Sequence, residues 1–191
     1  MMSRFSLQKE IIRLMAEKGP VTKYEAAQTL KKSYKNVVFA FNSLLKKELI
    51  KKTRKMKEYK GRKFEMFWLT PKGIIEAYRL SVTKDTLLKV VLEKAEEPEK
   101  KINNLKAFLE ILEILGPERA NTLIDFIDTQ TLEPKGIPLI SIDMKEAIKI
   151  LLVFHRYEPY RTMLSDKLSE LFDKCKALGL LNKHKTKENE K

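Results

Sequence analysis

Few residues in this 191-residue chain are of the types that do covalent or metal chemistry, and their spacing argues against it. His155 follows Phe154 at the end of an apolar run and His184 lies near the carboxy terminus. Neither has a partner at metal-ligand spacing. Cys175 is the single cysteine, which excludes an internal disulfide framework and a cysteine-built zinc site. Lysines flank it on both sides, so a reactive thiolate is one reading. Its place on an apolar stripe with Leu171 and Leu178 favours the other, a buried structural thiol. Asp125 and Asp128 fall on one side of a helix, where solvated carboxylates explain them better than a paired acid and base. No phosphate-binding glycine loop and no nucleophile elbow occurs. The expectation is a protein that is not an enzyme and uses no cofactor or metal.

Binding chemistry is where the sequence is rich. Residues 1–80 carry 20 Lys and Arg against 7 Asp and Glu, a net charge of +13, whereas residues 81–191 carry 19 of each sign. Within residues 31–63 there are 13 basic and 2 acidic residues, a net of +11. A solvated, mixed-sign surface does not segregate charge in this way. A folded module that neutralises a polyanion does, and nucleic acid is the commonest such partner. The competing reading is a lysine-rich surface that serves solubility alone. The 43% hydrophobic content is enough for a real core. The start, Met1-Met2-Ser3-Arg4-Phe5, lacks the long apolar core of a signal peptide. The longest apolar runs, such as residues 150–154, fall far short of the ~20 residues that span a bilayer. A cytoplasmic protein with no membrane partner is expected.

The elements that must position this charge follow from periodicity. Leu7, Ile11, Leu14 and Met15 recur at helical spacing, so residues 6–18 read as a helix that Gly19-Pro20 stops. Thr22 and Glu25 form a capping box for a short helix to about Leu30, with Ala26, Ala27 and Leu30 as its packing face. Ser33 is a good N-cap for the next helix, residues 33–47. There Val37, Ala40, Phe41 and Leu44 make one apolar stripe, and Lys35, Asn36, Phe39, Asn42, Ser43 and Lys46 lie opposite. Residues 49–57 and 63–69 read as strands, separated by Glu58-Tyr59-Lys60-Gly61-Arg62 with Gly61 supplying the turn. Trp68, between Phe67 and Leu69, reads as core. Thr70-Pro71 opens another helix, N-cap then proline, to about Leu80.

Three helices, a hairpin and a helix in about 75 residues resemble the winged helix-turn-helix domain of MarR-like and PadR-like regulators from archaea and bacteria. The run from Ser33 to Ile50 is similar to that family's recognition helix and its exit. Phe67-Trp68-Leu69-Thr70-Pro71-Lys72-Gly73 is similar to its second wing strand entering an L-T-x-x-G phrase. Glu48 departs from the pattern, which has glycine there. The resemblance covers residues 5–80, about 40% of the chain, and an archaeal source fits it.

The resemblance implies that the helix at 33–47 enters the major groove and the wing at 50–69 lies on the backbone or in the minor groove. The implied DNA-facing set is Ser33, Tyr34, Lys35, Asn36, Phe39, Asn42, Ser43 and Lys46 from the helix, with Lys55, Lys57, Lys60, Arg62 and Lys63 from the wing. Asn36 suits an adenine edge, and Asn42 and Ser43 suit bases or phosphates. Lys35, Lys46 and Lys47 suit phosphates. Phe39 either touches a thymine methyl or packs under the wing. Tyr34 either donates to a phosphate or anchors the helix start. Arg62 either enters a minor groove or is a solvated tip charge.

Residues 81–182 read as helical. Leu87, Leu88, Val91, Leu92 and Ala95 form a stripe closed by Pro98. Ile102, Leu105, Leu109 and Leu112 follow, closed by Gly116-Pro117, with the 3-4-3 spacing of a helix-packing seam. A short helix carries Ala120, Leu123, Ile124 and Ile127, then residues 131–141 form a loop. Asp143 and Glu146 cap a helix that Pro159 breaks, and a last helix carries Met163, Leu164, Leu168, Leu171, Phe172, Cys175 and Leu178 to Gly179. Residues 183–191 read as a disordered basic tail. The expected fold is mainly α with a small β-hairpin wing: a winged helix-turn-helix domain at 5–80, then an all-helical dimerisation or effector domain at 81–182. A small-molecule effector has no ligand constellation to support it. The expected function is sequence-specific double-stranded DNA binding by a homodimeric transcriptional regulator. The alternatives are a winged-helix adaptor in a larger transcription or membrane-remodelling assembly, and an RNA-binding protein.

Overall fold

A computed structural model describes residues 4–94, 99–128, 132–136 and 143–177. Helix α1 (Arg4–Lys18) buries Ile11, Ile12, Leu14, Met15 and Ala16. These occupy more than one helical face, so α1 is covered from two sides. Gly19, at φ 89°, ends it with its amide on the Met15 carbonyl. The two-residue strand β1 (Val21–Thr22) runs into α2 (Lys23–Thr29). The capping box forms as the sequence predicts: Thr22 Oγ1 accepts from the Glu25 amide at 3.1 Å, and Glu25 Oε2 accepts from the Thr22 amide at 2.9 Å. Helix α3 (Tyr34–Lys46) begins at its Ser33 cap and buries Val37, Ala40, Phe41 and Leu44, the expected stripe.

Strands β2 (Ile50–Tyr59) and β3 (Arg62–Leu69) make an antiparallel hairpin, and β1 pairs with the other edge of β3 in the order β1-β3-β2. Both strands reach further than the expected 49–57 and 63–69. The turn is only Lys60 and Gly61, both left-handed at φ 51° and 72°, as a two-residue turn of matching twist requires. Arg62 is therefore the first residue of β3, opposite Tyr59. A bulge between Lys52 and Met56 interrupts the ladder. Phe67 and Leu69 point into the core, where Phe67 meets Phe41 edge-on at 5.2 Å. Trp68, expected in the core, alternates to the other face of β3 and is half-buried.

Glu48 takes the left-handed conformation, φ 57°, that glycine would fill in the resembling pattern. Its carbonyl accepts from Thr70 Oγ1 at 2.6 Å and its carboxylate pairs with Lys72. Thr70 caps α4 (Pro71–Arg79), with proline at the first turn. A Cβ on Gly73 would lie 2.0 Å from the Leu49 carbonyl oxygen, so α4 sits directly on the chain entering β2.

Helix α5 (Lys84–Lys94) buries Leu87, Val90 and Val91. Leu92, expected on that stripe, is exposed because it lies about 100° around the helix from Val91. Ala95 and Pro98 lie outside the described residues. Helix α6 (Glu99–Ile124) leaves helical geometry at Gly116, φ 73° and ψ 169°, where the sequence predicts a stop. Leu105, Leu109 and Leu112, the expected intermolecular seam, are buried within the chain itself. Ile127 lies beyond the helix expected to carry it, bridged to Pro134. Residues 131 and 137–141 of the expected loop lie outside the described residues, as do Leu178, Gly179 and the tail.

Helix α7 (Met144–Arg156) opens on the expected Asp143–Glu146 capping box. Helix α8 (Tyr160–Ala177) docks by its first turns: Tyr160 is buried and its hydroxyl donates to the Leu132 carbonyl at 2.6 Å, while Met163 and Leu164 pack on the core. From Ser165 to Lys174 every residue is exposed. Leu168, Leu171 and Phe172, on the stripe that the expected dimerisation region carries, are exposed in the single chain, and Cys175, read as a buried thiol, is half-buried. Helix α1 packs on α4 and α5, α4 on α6, and α6 on α7, so the buried core is continuous from Ile11 to Tyr160. Among the described residues no helix is long and apolar enough to cross a membrane.

Candidate nucleic-acid interface

Burying Val37, Ala40, Phe41 and Leu44 turns the rest of α3 outward. Lys35, Asn36, Phe39, Asn42 and Lys46 are all exposed. Phe39 is 62% exposed, so it does not pack under the hairpin. Tyr34 is 53% exposed and does not serve as a buried anchor. Ser33 is spent locally, accepting from the Asn36 amide at 3.4 Å. Ser43, expected among the outward donors, is half-buried and turned toward α1. Gln8 Nε2 donates to its hydroxyl at 3.0 Å, and Gln8 Oε1 accepts from Lys47 Nζ at 2.9 Å. Only 3.6 residues fill a turn, so the flank of the stripe carrying Ser43 abuts a neighbouring helix.

The hairpin contributes Lys55, Lys57, Lys60, Arg62 and Lys63, all exposed. Lys55 lies in the bulge, where the Thr53 hydroxyl donates to its carbonyl at 3.1 Å. Lys60 Nζ lies 5.6 Å from the Tyr59 ring centre. Lys57 pairs with Glu25, which fastens β2 to α2. Burial pushes the Glu25 carboxyl up, but Lys57 and the Thr22 amide and hydroxyl outweigh it and hold the group below its usual range. Tyr24 of α2 completes the fastening, its ring 6.3 Å from both Tyr59 and Phe64.

The structure thus brings the start of α3 and the hairpin together across α2. Tyr24, Ala27, Gln28, Lys31, Lys32, Tyr34 and Phe64 line one cleft of about 450 Å³. Of these, sequence reasoning named only Tyr34 as a site residue. A signal was present: Tyr24, Ala27 and Gln28 stand at i, i+3 and i+4, one face of a helix. Asn42, Ser43 and Lys46 lie toward the other end of α3, where Ser43 meets Gln8 of α1.

The other reactive candidates are dispersed. Asp128 pairs with Lys135 at 3.7 Å, Asp125 and His155 are exposed, and His184 lies outside the described residues. Among the described residues no three or more His, Cys, Asp or Glu side chains gather in a metal-binding group. Compared with protein-family models, curated proteins and solved structures, the chain matches none.

Proposed function

We propose that this chain is a winged-helix protein that binds double-stranded DNA sequence-specifically and regulates transcription as a homodimer. The helix order and the β1-β3-β2 sheet support the winged-helix reading. The observation that carries the function is the outward polar face of α3 beside an exposed basic hairpin, within a segment of net charge +11. Amide and lysine side chains on α3 read bases and phosphates in the major groove, and the hairpin lysines follow the backbone. Duplex titration at several salt concentrations tests this. Neutralising Z phosphates gives a log-log slope of about −0.9Z, with Z of roughly 4 to 8 per dimer. A salt-independent affinity, or no binding at low salt, sinks it.

The dimer reading rests on α8. Leu168, Leu171, Cys175 and Leu178 follow 3-4-3 spacing, the repeat of a coiled-coil seam. The part of α8 from Ser165 to Lys174 stands clear of the core. An isolated helix shorter than ~12 to 15 residues is marginal in water, so this segment needs a partner, and a second α8 supplies a matching seam. One observation favours the adaptor reading instead: Phe39, exposed on α3, is the kind of apolar residue a docked protein would cover. The same titration separates the two, since an adaptor shows no salt-dependent duplex affinity.

A further inference from the structure

We propose that the cleft between α2, the start of α3 and the hairpin binds an unpaired nucleobase of a DNA strand whose duplex lies on the adjacent basic face. The inference rests on the duplex-binding reading and adds a second, chemically distinct subsite to it. Its walls are aromatic: Tyr24 and Phe64 lie nearly parallel at 26°, and Tyr34 closes the other side. Tyr24 is 40% exposed and Tyr34 53%, so the rings are open to a ligand. Tyr59 extends the aromatic surface along the hairpin.

Three features narrow the ligand. The lining holds two lysines, Lys31 and Lys32, and no carboxylate. A flat, uncharged ring tethered to a negatively charged phosphate matches aromatic walls with a basic rim, and a nucleotide is such a group. Gln28 donates its amide nitrogen to the Tyr24 hydroxyl at 2.6 Å, which fixes the amide orientation at the wall. An amide held in place suits a base edge better than a featureless apolar group. Finally, the rings can stack only on a base whose face is bare. In a duplex each base face is covered by its neighbours, so the occupant comes from an overhang, a flap or an opened pair. Lys32 is partly committed to Glu10 at 3.5 Å, which leaves Lys31 as the main rim cation at this edge.

The test uses the full chain and four probes: a blunt duplex, the same duplex with a short single-stranded overhang bearing 2-aminopurine, the overhang strand alone, and a free nucleoside monophosphate. Stacking of one base predicts that the overhang tightens binding about 5- to 100-fold over the blunt duplex and changes the 2-aminopurine fluorescence. Tyr24→Leu and Phe64→Leu keep apolar bulk but remove a ring. Each should erase most of the overhang preference, read as the ratio of overhung to blunt-duplex affinity in the same variant, with the circular dichroism spectrum unchanged. Equal affinity for blunt and overhung duplexes, or a preference that survives both substitutions, overturns the inference and leaves the duplex-binding reading standing. Free nucleotide binding as tight as the overhung duplex also overturns it, since the cleft would then serve a small nucleotide. Failure of all four probes overturns both readings together.

Discussion

Asn36 and Arg62 stand at the two ends of a division of labour that single substitutions can resolve. Asn36 is exposed in the first turn of α3, one residue from the buried Val37. On the proposed duplex-binding reading, a side-chain amide there can make a bidentate base contact worth ~1 to 3 kcal/mol of discrimination. Arg62 opens β3 next to the turn, where on the same reading its charge would meet the DNA backbone and carry little sequence information. Asn36→Ala should weaken binding to a preferred site and relax preference at one position. Arg62→Ala should weaken binding to all sequences alike and lower the salt slope by about one. Comparison on a selected site and a scrambled duplex decides it. An unchanged ratio for Asn36→Ala means that α3 is not the reader. Glu25 makes a different prediction, about acid. Its carboxyl is held below the usual value of 4.5 in the folded chain. The stabilisation it gives is complete above that value and is lost as pH falls through the lower folded one. Glu25→Gln keeps an acceptor for the Thr22 amide but breaks the pair with Lys57. It should cost about 0.5 to 1 kcal/mol at neutral pH and flatten the acid side of the stability profile. Urea unfolding of both proteins at neutral pH and near pH 3 measures this. Parallel acid slopes would show that Glu25 is not the titrating fastener.

Among the elements, α4 shows why one glycine is needed. At Gly73 an added Cβ would meet the Leu49 carbonyl oxygen at 2.0 Å, and backbone does not yield as a side-chain tip does. Gly73→Ala should cost about 2 to 3 kcal/mol through displacement of α4 from β2, seen as a lower midpoint in thermal unfolding. A melting curve within error of the parent would mean that α4 slides freely. The glycine's importance was legible in the L-T-x-x-G phrase, but the contact behind it was not, because Leu49 is distant in sequence. The same limit runs through the fold. Caps and stripes written within one turn, such as Thr22–Glu25, Ser33 and the α3 face, were read correctly from local chemistry. What failed depended on a neighbour. Trp68 looked like fully buried core because its flanks are apolar, yet strand alternation puts it on the other face from Phe67 and Leu69, where it packs on the core's edge half-buried. Ser43 looked outward until α1 supplied Gln8. The seam at Leu105, Leu109 and Leu112 has the spacing of an intermolecular contact, and periodicity cannot say which chain fills it. The cleft was missed for the same reason: its walls come from α2, α3 and β3, and only tertiary packing places them together.

At the scale of the whole molecule, the continuous core decides how the dimer should be tested. Helix α1 is covered by α4 on one hand and α5 on the other, and α4 also carries α6. A cut near residue 82 would strip α5 from α1 and α6 from α4, so a fragment that failed would report exposed core rather than lost association. Point substitutions on α8 avoid this. Leu168 and Leu171 are 56% and 58% exposed, so a charge there removes little from the packed interior. In a helix pair the same positions are seam residues, and a carboxylate is desolvated against its copy. The full chain should therefore sediment as a dimer, and Leu171→Glu as a folded monomer with unchanged thermal midpoint at the core transition. Two linked half-sites raise affinity through effective concentration, so the monomer should bind its preferred duplex at least ~10²-fold more weakly. Half the phosphate contacts remain, so its salt slope should fall to about half. A monomeric parent chain would remove the basis for a palindromic site. A dimer that survives Leu171→Glu and Leu168→Glu would move the interface off α8, toward exposed apolar residues of α7 such as Met144, Ile148 and Leu152.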